Sequence, residues 1–240
     1  MNPCRWIAIV GRKGGSGKTA LALGLAAHYT RAARRVLLVD LDPQGSASLA
    51  LGADATGEQL ADILQKPAAP KTVPSVTFSK SPPLGLLAGG PALATLTAPR
   101  ALRDALAGVL VDVVLVDCPP GHTELDRLAL EAADVVLAAC EPHRLGIAGA
   151  ARVLDEARAL KPRPRCALVL CRMDERRGLD RAAPDLLAGA FAVPVLTVRQ
   201  DSALAEALNA GRLPPASGRA ADDLEAVAGW IDKQTARGNA

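Results

Sequence analysis

The run Gly11-Arg12-Lys13-Gly14-Gly15-Ser16-Gly17-Lys18-Thr19 constrains this chain more than any other stretch. The apolar segment Trp6–Val10 leads into it, and an alanine- and leucine-rich segment from Lys18 to about Arg34 leads out. Strand, glycine-rich turn and helix form the context that a phosphate-binding loop requires. Gly11, Gly14, Gly15 and Gly17, with Ser16 between them, let backbone N–H groups converge on phosphate oxygens without Cβ clashes. The following helix turns its positive dipole end toward the same anion. Lys18 can reach the β- and γ-phosphates, and Thr19 can offer its hydroxyl to Mg²⁺. A glycine-rich turn with two surface lysines is the plain alternative, so the rest of the chain has to decide.

Short apolar runs alternate with helical segments along the 240 residues. After Trp6–Val10, the strand candidates are Val36–Asp40, Leu84–Ala88, Val111–Val116, Val135–Ala139, Ala167–Leu170 and Val193–Thr197. Helices are expected over Gly57–Leu64, Ala98–Leu110, Glu124–Ala132, Ile147–Leu160, Leu179–Leu187, Ser202–Asn209 and Ala221–Thr235. Apolar runs this short between helices read as buried parallel strands. The expected fold is α/β, a doubly wound, mostly parallel sheet with helices on both faces. Half the residues are hydrophobic but only 2% are aromatic, so the core must be built from Ala, Leu and Val. The proline-rich stretch 66–83 reads as a surface excursion, because strands of one sheet lie on both sides of it. Residues 1–240 are therefore expected to form a single domain.

Asp40 and Asp42 follow the second apolar run in Val39-Asp40-Leu41-Asp42-Pro43-Gln44-Gly45. Asp117 ends a later run in Val113-Val114-Leu115-Val116-Asp117-Cys118-Pro119-Pro120-Gly121. Ligands of open α/β sheets bind at the carboxyl ends of strands, where these carboxylates fall. Apolar residues followed by Asp is the Walker B pattern, in which the carboxylate holds Mg²⁺.

The strict pattern G-x-x-x-x-G-K-[ST] fails at Arg12, and a second lysine, Lys13, stands early in the loop. This is the deviant Walker A form. Together with Asp40-Leu41-Asp42-Pro43-Gln44 and Asp117-Cys118-Pro119-Pro120-Gly121, it makes the chain resemble the ParA/MinD family of ATPases, the small plasmid-type ParA proteins in particular. The resemblance implies a P-loop fold, ATP and Mg²⁺ as ligands, and a homodimer formed on ATP binding. It implies that Lys13 crosses to the partner's nucleotide and that Lys18 holds the phosphates. Asp42 would orient the attacking water, with Thr19, Asp40 and Asp117 serving the metal. Late segments around Arg172 and Arg199 resemble those that flank the adenine in the family. Ala20 stands where many members carry a second threonine, and Gly45-Ser46-Ala47 lacks the asparagine common after the glutamine. The chain starts at the P-loop strand, which implies no operator-specific repression of the kind larger ParA proteins perform through an N-terminal extension.

Three uses of such an ATPase are open. The first is a positioning ATPase whose dimer binds non-specific DNA and is released by a ParB-like or cargo-adaptor protein that stimulates hydrolysis. The net charge of +3 is too small to establish DNA binding. Locally, however, Arg163, Arg165, Arg172, Arg176, Arg177 and Arg181 stand against only Asp174, Glu175 and Asp180. The second is a MinD-like membrane ATPase, which needs a basic amphipathic C-terminal helix. The last helix has an apolar stripe, Leu224, Val227, Trp230 and Ile231, but four carboxylates against two cations, which anionic lipid repels. No membrane association is therefore expected, and the protein should be cytoplasmic and nucleoid-associated.

The third is a metabolic or iron–sulfur-carrier relative on the same fold, in which Cys118 and Cys140 would bridge a cluster across a dimer. The five cysteines, Cys4, Cys118, Cys140, Cys166 and Cys171, form no C-x-x-C pair, and reduced structural thiols are the favoured reading. His28, His122 and His143 lack ligand spacing.

Overall fold

A computed structural model describes residues 4–66, 75–76 and 84–234. Eight strands form one sheet: β1 (Arg5–Val10), β2 (Val36–Asp40), β3 (Ser75–Val76), β4 (Leu84–Leu87), β5 (Val113–Asp117), β6 (Val135–Cys140), β7 (Arg165–Met173) and β8 (Val195–Arg199). The helices are α1 (Lys18–Arg31), α2 (Ser46–Ala50), α3 (Glu58–Gln65), α4 (Leu102–Ala105), α5 (Glu124–Ala132), α6 (Arg144–Ala159), α7 (Gly178–Phe191), α8 (Ser202–Asn209) and α9 (Arg219–Asp232), with a 3₁₀ turn at Pro91–Thr95. The strand order is β3-β4-β2-β5-β1-β6-β7-β8. All pairings are parallel except the antiparallel edge pair β3–β4. The doubly wound, mostly parallel sheet expected from the alternation of elements is the fold observed.

Successive residues of a strand point to opposite faces, and here both faces are covered. Ile7 and Ile9 of β1 and Val113 and Leu115 of β5 join a core with Leu21, Leu25 and Tyr29 of α1 and Leu224, Val227 and Ile231 of α9. Trp6, Ala8 and Val10, with Val114 and Val116, face a second core built with α3, α5 and α6. Continuous apolar strands are the sequence consequence of this two-sided burial.

Several boundaries differ from the periodicity reading. The helix expected over Ala98–Leu110 shrinks to Leu102–Ala105. Ala98 adopts a left-handed backbone before Pro99, and Gly108 does so at the other end. Helix α6 begins at Arg144, three residues before Ile147, because the His143 imidazole caps it, its Nδ1 accepting from the Gly146 N–H at 3.0 Å. The short α2 has no sequence counterpart in the expected set. Most of the proline-rich stretch 66–83 lies outside the described residues.

Candidate nucleotide-binding site

The sheet changes winding direction around β1. Helices and strands that follow β1 in sequence fill one side as far as β2 and β4, while β6, β7 and β8 fill the other. This switch point is where an open α/β sheet opens a crevice at its carboxyl edge. Register brings the site residues together there. Asp40 is paired directly with Asp117 across β2 and β5, and Asp117 with Ile9 across β5 and β1. The glycine-rich loop springs from Val10, one residue further on.

The loop ends at Gly17, whose φ of 88° begins α1 without any side-chain cap. By contrast, α5, α6 and α8 are capped by Thr123, His143 and Asp201. The first amides of α1 are thus left for an external acceptor, the arrangement that binds anions. Glycine at 17 has a second reason: a Cβ there would stand 2.6 Å from Cys171 Cβ on β7. The lysines of the loop diverge. Lys18 is 6% exposed and its Nζ curls to the Lys13 carbonyl at 3.4 Å. The Lys13 side chain is 56% exposed, its Nζ 3.4 Å from His143 Nε2 and 3.9 Å from Glu141 Oε2. Gly14 and Gly15 are exposed, whereas Gly11 and Ser16 are buried.

The carboxylates are buried and crowded. Thr19 Oγ1 donates to Asp117 Oδ2 at 2.8 Å, while Asp117 Oδ1 is buried with no hydrogen-bond partner. Burial, then the neighbouring Asp40 carboxylate, pushes Asp117 up to about 8. Burial also raises Asp40, against the Ser48 hydroxyl and amide that donate to its Oδ2 at 2.7 and 2.9 Å. Asp40 Oδ1 accepts from the Asp42 amide at 3.1 Å, and Asp42 Oδ1 accepts from the Gln44 amide at 2.9 Å. Ser48 Oγ also accepts from the Gly89 amide, so Asp40 anchors the turn that carries Asp42. Sequence spacing held no sign of Ser48 or Gly89.

An orphaned, buried carboxylate oxygen beside a threonine hydroxyl is a hard oxygen donor pair suited to Mg²⁺. Residues Thr19 and Asp117 fit that ion, and a divalent cation there would relieve the charge crowding that raises Asp117. Among the described residues no group of three His, Cys, Asp or Glu side chains stands ready to hold a metal by itself.

Beyond α1 a cleft of 440 Å³ is lined by Gly17, Ala20, Leu21, Cys171, Arg172, Arg199, Gln200 and Leu204, among others. The late-chain residues Arg172 and Arg199 thus do meet the phosphate loop. Their guanidinium groups are engaged elsewhere: Arg172 with Glu141 at 3.0 Å, and Arg199 with both oxygens of Asp223 at 2.8 and 2.9 Å. Backbone and aliphatic stems therefore form the cleft wall.

Cys118 and Cys140, the pair that a shared cluster would use, are buried thiols. They are 1% and 2% exposed, and burial raises both, Cys140 to about 12. Metal-binding sulfur needs the opposite, a thiolate. The apolar stripe of α9 is also spent. Leu224, Val227 and Ile231 are buried in the core, and no helix among the described residues is long and apolar enough to cross a membrane.

Comparison with known proteins agrees with this geometry. A family model described as an AAA domain matches residues 4–168. The chromosome-partitioning ATPase Soj of Thermus thermophilus is 40% identical over 179 residues, covering 73% of this chain and 72% of that protein. An ATP complex of a Cyanothece McdA superposes with a TM-score of 0.81 at 19% identity, covering 99% of this chain and 100% of the other. The septum site-determining protein MinD of Pyrococcus horikoshii, complexed with Mg-ADP, gives 0.79 at 22% identity, covering 96% and 97%. At those identities the two structures speak for the fold alone. The sequence match to Soj, a family model spanning most of the chain and a phosphate loop facing two strand-end aspartates lead to one conclusion: the chain belongs to the ParA/MinD family of P-loop ATPases.

Proposed function

We propose that residues 1–240 form one Mg²⁺-dependent ATPase domain of the positioning type. ATP closes two copies into a dimer, the dimer binds DNA without sequence preference, and a ParB-like or cargo-adaptor partner stimulates hydrolysis and release. The loop Gly11–Ala20 holds the phosphates through its amides and Lys18. Thr19 and Asp117 would hold Mg²⁺, which when bound neutralises phosphate charge; Asp40 holds the Asp42 turn beside it. Asp42 orients the attacking water, and the cleft walled by Ala20, Arg172 and Arg199 takes the adenine. The work needed is positioning and charge neutralisation more than strong base catalysis.

The observation that carries this reading is the opposed burial of the two lysines. Lys18 is turned into its own loop, while Lys13 stands exposed at the outer lip, which supports a role for it toward a site presented from outside. For DNA, the exposed arginines Arg163, Arg165, Arg177 and Arg181 offer phosphate contacts. The membrane reading loses its apolar stripe to the core, and the cluster-carrier reading loses its thiols to burial. The proposed setting is the cytoplasm, on the nucleoid.

The test is binding of the Asp42→Ala protein to non-specific duplex DNA, with ATP or ADP, across a salt series. The expected outcome is ATP-dependent binding that weakens steeply with salt. An ATP-bound dimer that ignores DNA at low salt would overturn the DNA part, and a variant that stays monomeric with ATP would overturn the role given to Asp42.

A further inference from the structure

A strict phosphate loop has glycine where this chain has Arg12, and the side chain does not point to the phosphates. It is 12% exposed and runs the other way, under the loop. Its Nη1 donates to the Gly121 carbonyl at 2.5 Å and to Asp126 Oδ2, and its Nη2 donates to Glu156 Oε2. Gly121 closes the turn after Asp117, Asp126 lies in the first turn of α5, and Glu156 is on α6. One guanidinium therefore joins the start of the loop to three other pieces of the fold.

Each joint is itself held. Asp126 is 1% exposed, and its amide donates to the Thr123 Oγ1 cap at 3.2 Å. The Arg12 stem lies on α6 at Gly149, where an added Cβ would stand 3.1 Å from Arg12 Cβ. His122, next to Gly121, has its Nδ1 3.5 Å from the same Glu156. The ring from loop to turn to α6 and back is closed. Moving the loop alone would break charge-assisted hydrogen bonds to the turn, to α5 and to α6 at once, which favours a concerted shift of these pieces.

We infer that Arg12 is a positioning residue for hydrolysis: it ties the phosphate loop to the Asp117–Gly121 turn, and so passes a shift of the loop to that turn while setting where the adjacent Lys13 stands. Its guanidinium is committed to Gly121, Asp126 and Glu156. The inference rests on hydrolysis at this loop, as proposed above, but not on Lys13 acting across a dimer.

The test compares the parent with Arg12→Lys, which keeps the charge but offers one ammonium where the guanidinium spans three acceptors. Three readouts are taken: binding of a fluorescent ADP, steady-state kcat and KM for ATP, and hydrogen exchange of residues 119–126 with and without nucleotide. The expected result is ADP affinity within about 2-fold of the parent and kcat lowered by about 10-fold, the scale that coupling residues reach. The exchange response of 119–126 to nucleotide should disappear.

Arg12→Lys with the parent kcat overturns the inference. So does a variant whose ADP affinity and kcat fall together in proportion to lost folded protein, which is what a merely structural role gives. If Arg12→Lys does not fold, Glu156→Gln on the outer arm carries the test. There, an unchanged kcat is the overturning result, and a drop of about 3-fold with ADP affinity retained is the supporting one. Lys13→Ala, measured beside them, separates the readings. Full activity in that variant removes the trans-lysine role and leaves the Arg12 result standing.

Discussion

Lys13 and Lys18 share one loop and face opposite surroundings, and that difference separates two roles a lysine can have at a phosphate. Lys18 lies against the backbone of its own loop and close enough to Asp117 to favour that group's ionised form. Lys13 is half exposed, next to Glu141 and His143. Removing Lys18 should cost nucleotide affinity itself. If Lys13 acts as proposed, Lys13→Ala should bind ADP within about 3-fold of the parent while ATP hydrolysis falls on the order of 10³-fold, the scale of groups supplied in trans. Isothermal titration with ADP and a phosphate-release assay, run on both variants, check the contrast. Equal loss of binding in both would show that the two lysines serve the same phosphate.

At the scale of elements, α1 is buried nearly all round because the sheet lies on one side of it and α9 on the other. Gly24 makes that close approach possible: a Cβ added there would lie 2.5 Å from Leu224 Cδ1 and 3.2 Å from its Cγ. Alanine gains about 1 kcal/mol over glycine in a helix, but overpacking a filled core costs about 1–3 kcal/mol. Both Leu224 methyls and its Cγ crowd that position, so a rotamer change at the methyls alone does not clear the Cβ and the clash decides the sign. Gly24→Ala should lower stability by roughly 1 kcal/mol, and the same change in a Leu224→Ala background should be neutral or stabilising. Urea midpoints of the four proteins of this cycle measure it. A destabilisation that persists without the leucine would place the strain elsewhere in α1.

For the whole molecule, stability and nucleotide response have different sources. Two apolar cores hold the sheet from both faces, whereas the carboxylates at its edge are crowded and buried. Chelation should therefore leave the melting temperature of the ligand-free protein unchanged. With Mg²⁺ present and ADP at about 100 times its Kd under those conditions, the bound nucleotide should add about 2.7 kcal/mol by mass action. EDTA should remove most of that increment. Differential scanning fluorimetry with ADP, with and without Mg²⁺, reads it directly, and an ADP-induced shift that survives EDTA would exclude Mg²⁺ as part of the bound unit.

What the sequence determined by itself is what neighbours along the chain decide. Glycines and lysines of residues 11–19 imply a phosphate loop by backbone sterics, and an apolar run that ends on a carboxylate implies a buried strand with its charge at the mouth. Asp40 and Asp117 were legible for that reason, as were β1, β2 and β6 and the helices α5 and α8. Boundaries governed by a turn were not, as with α4, cut short between two left-handed residues, or α6, capped by a histidine outside the usual capping set. Only the tertiary structure placed β5 between β2 and β1, and that order alone puts Asp117 beside Asp40 and one strand from the loop. It alone turned Arg12 inward, onto partners 109 and 144 residues away. Local patterns carry no term for partners that distant; strand order and helix placement choose them, by burying both faces of one sheet.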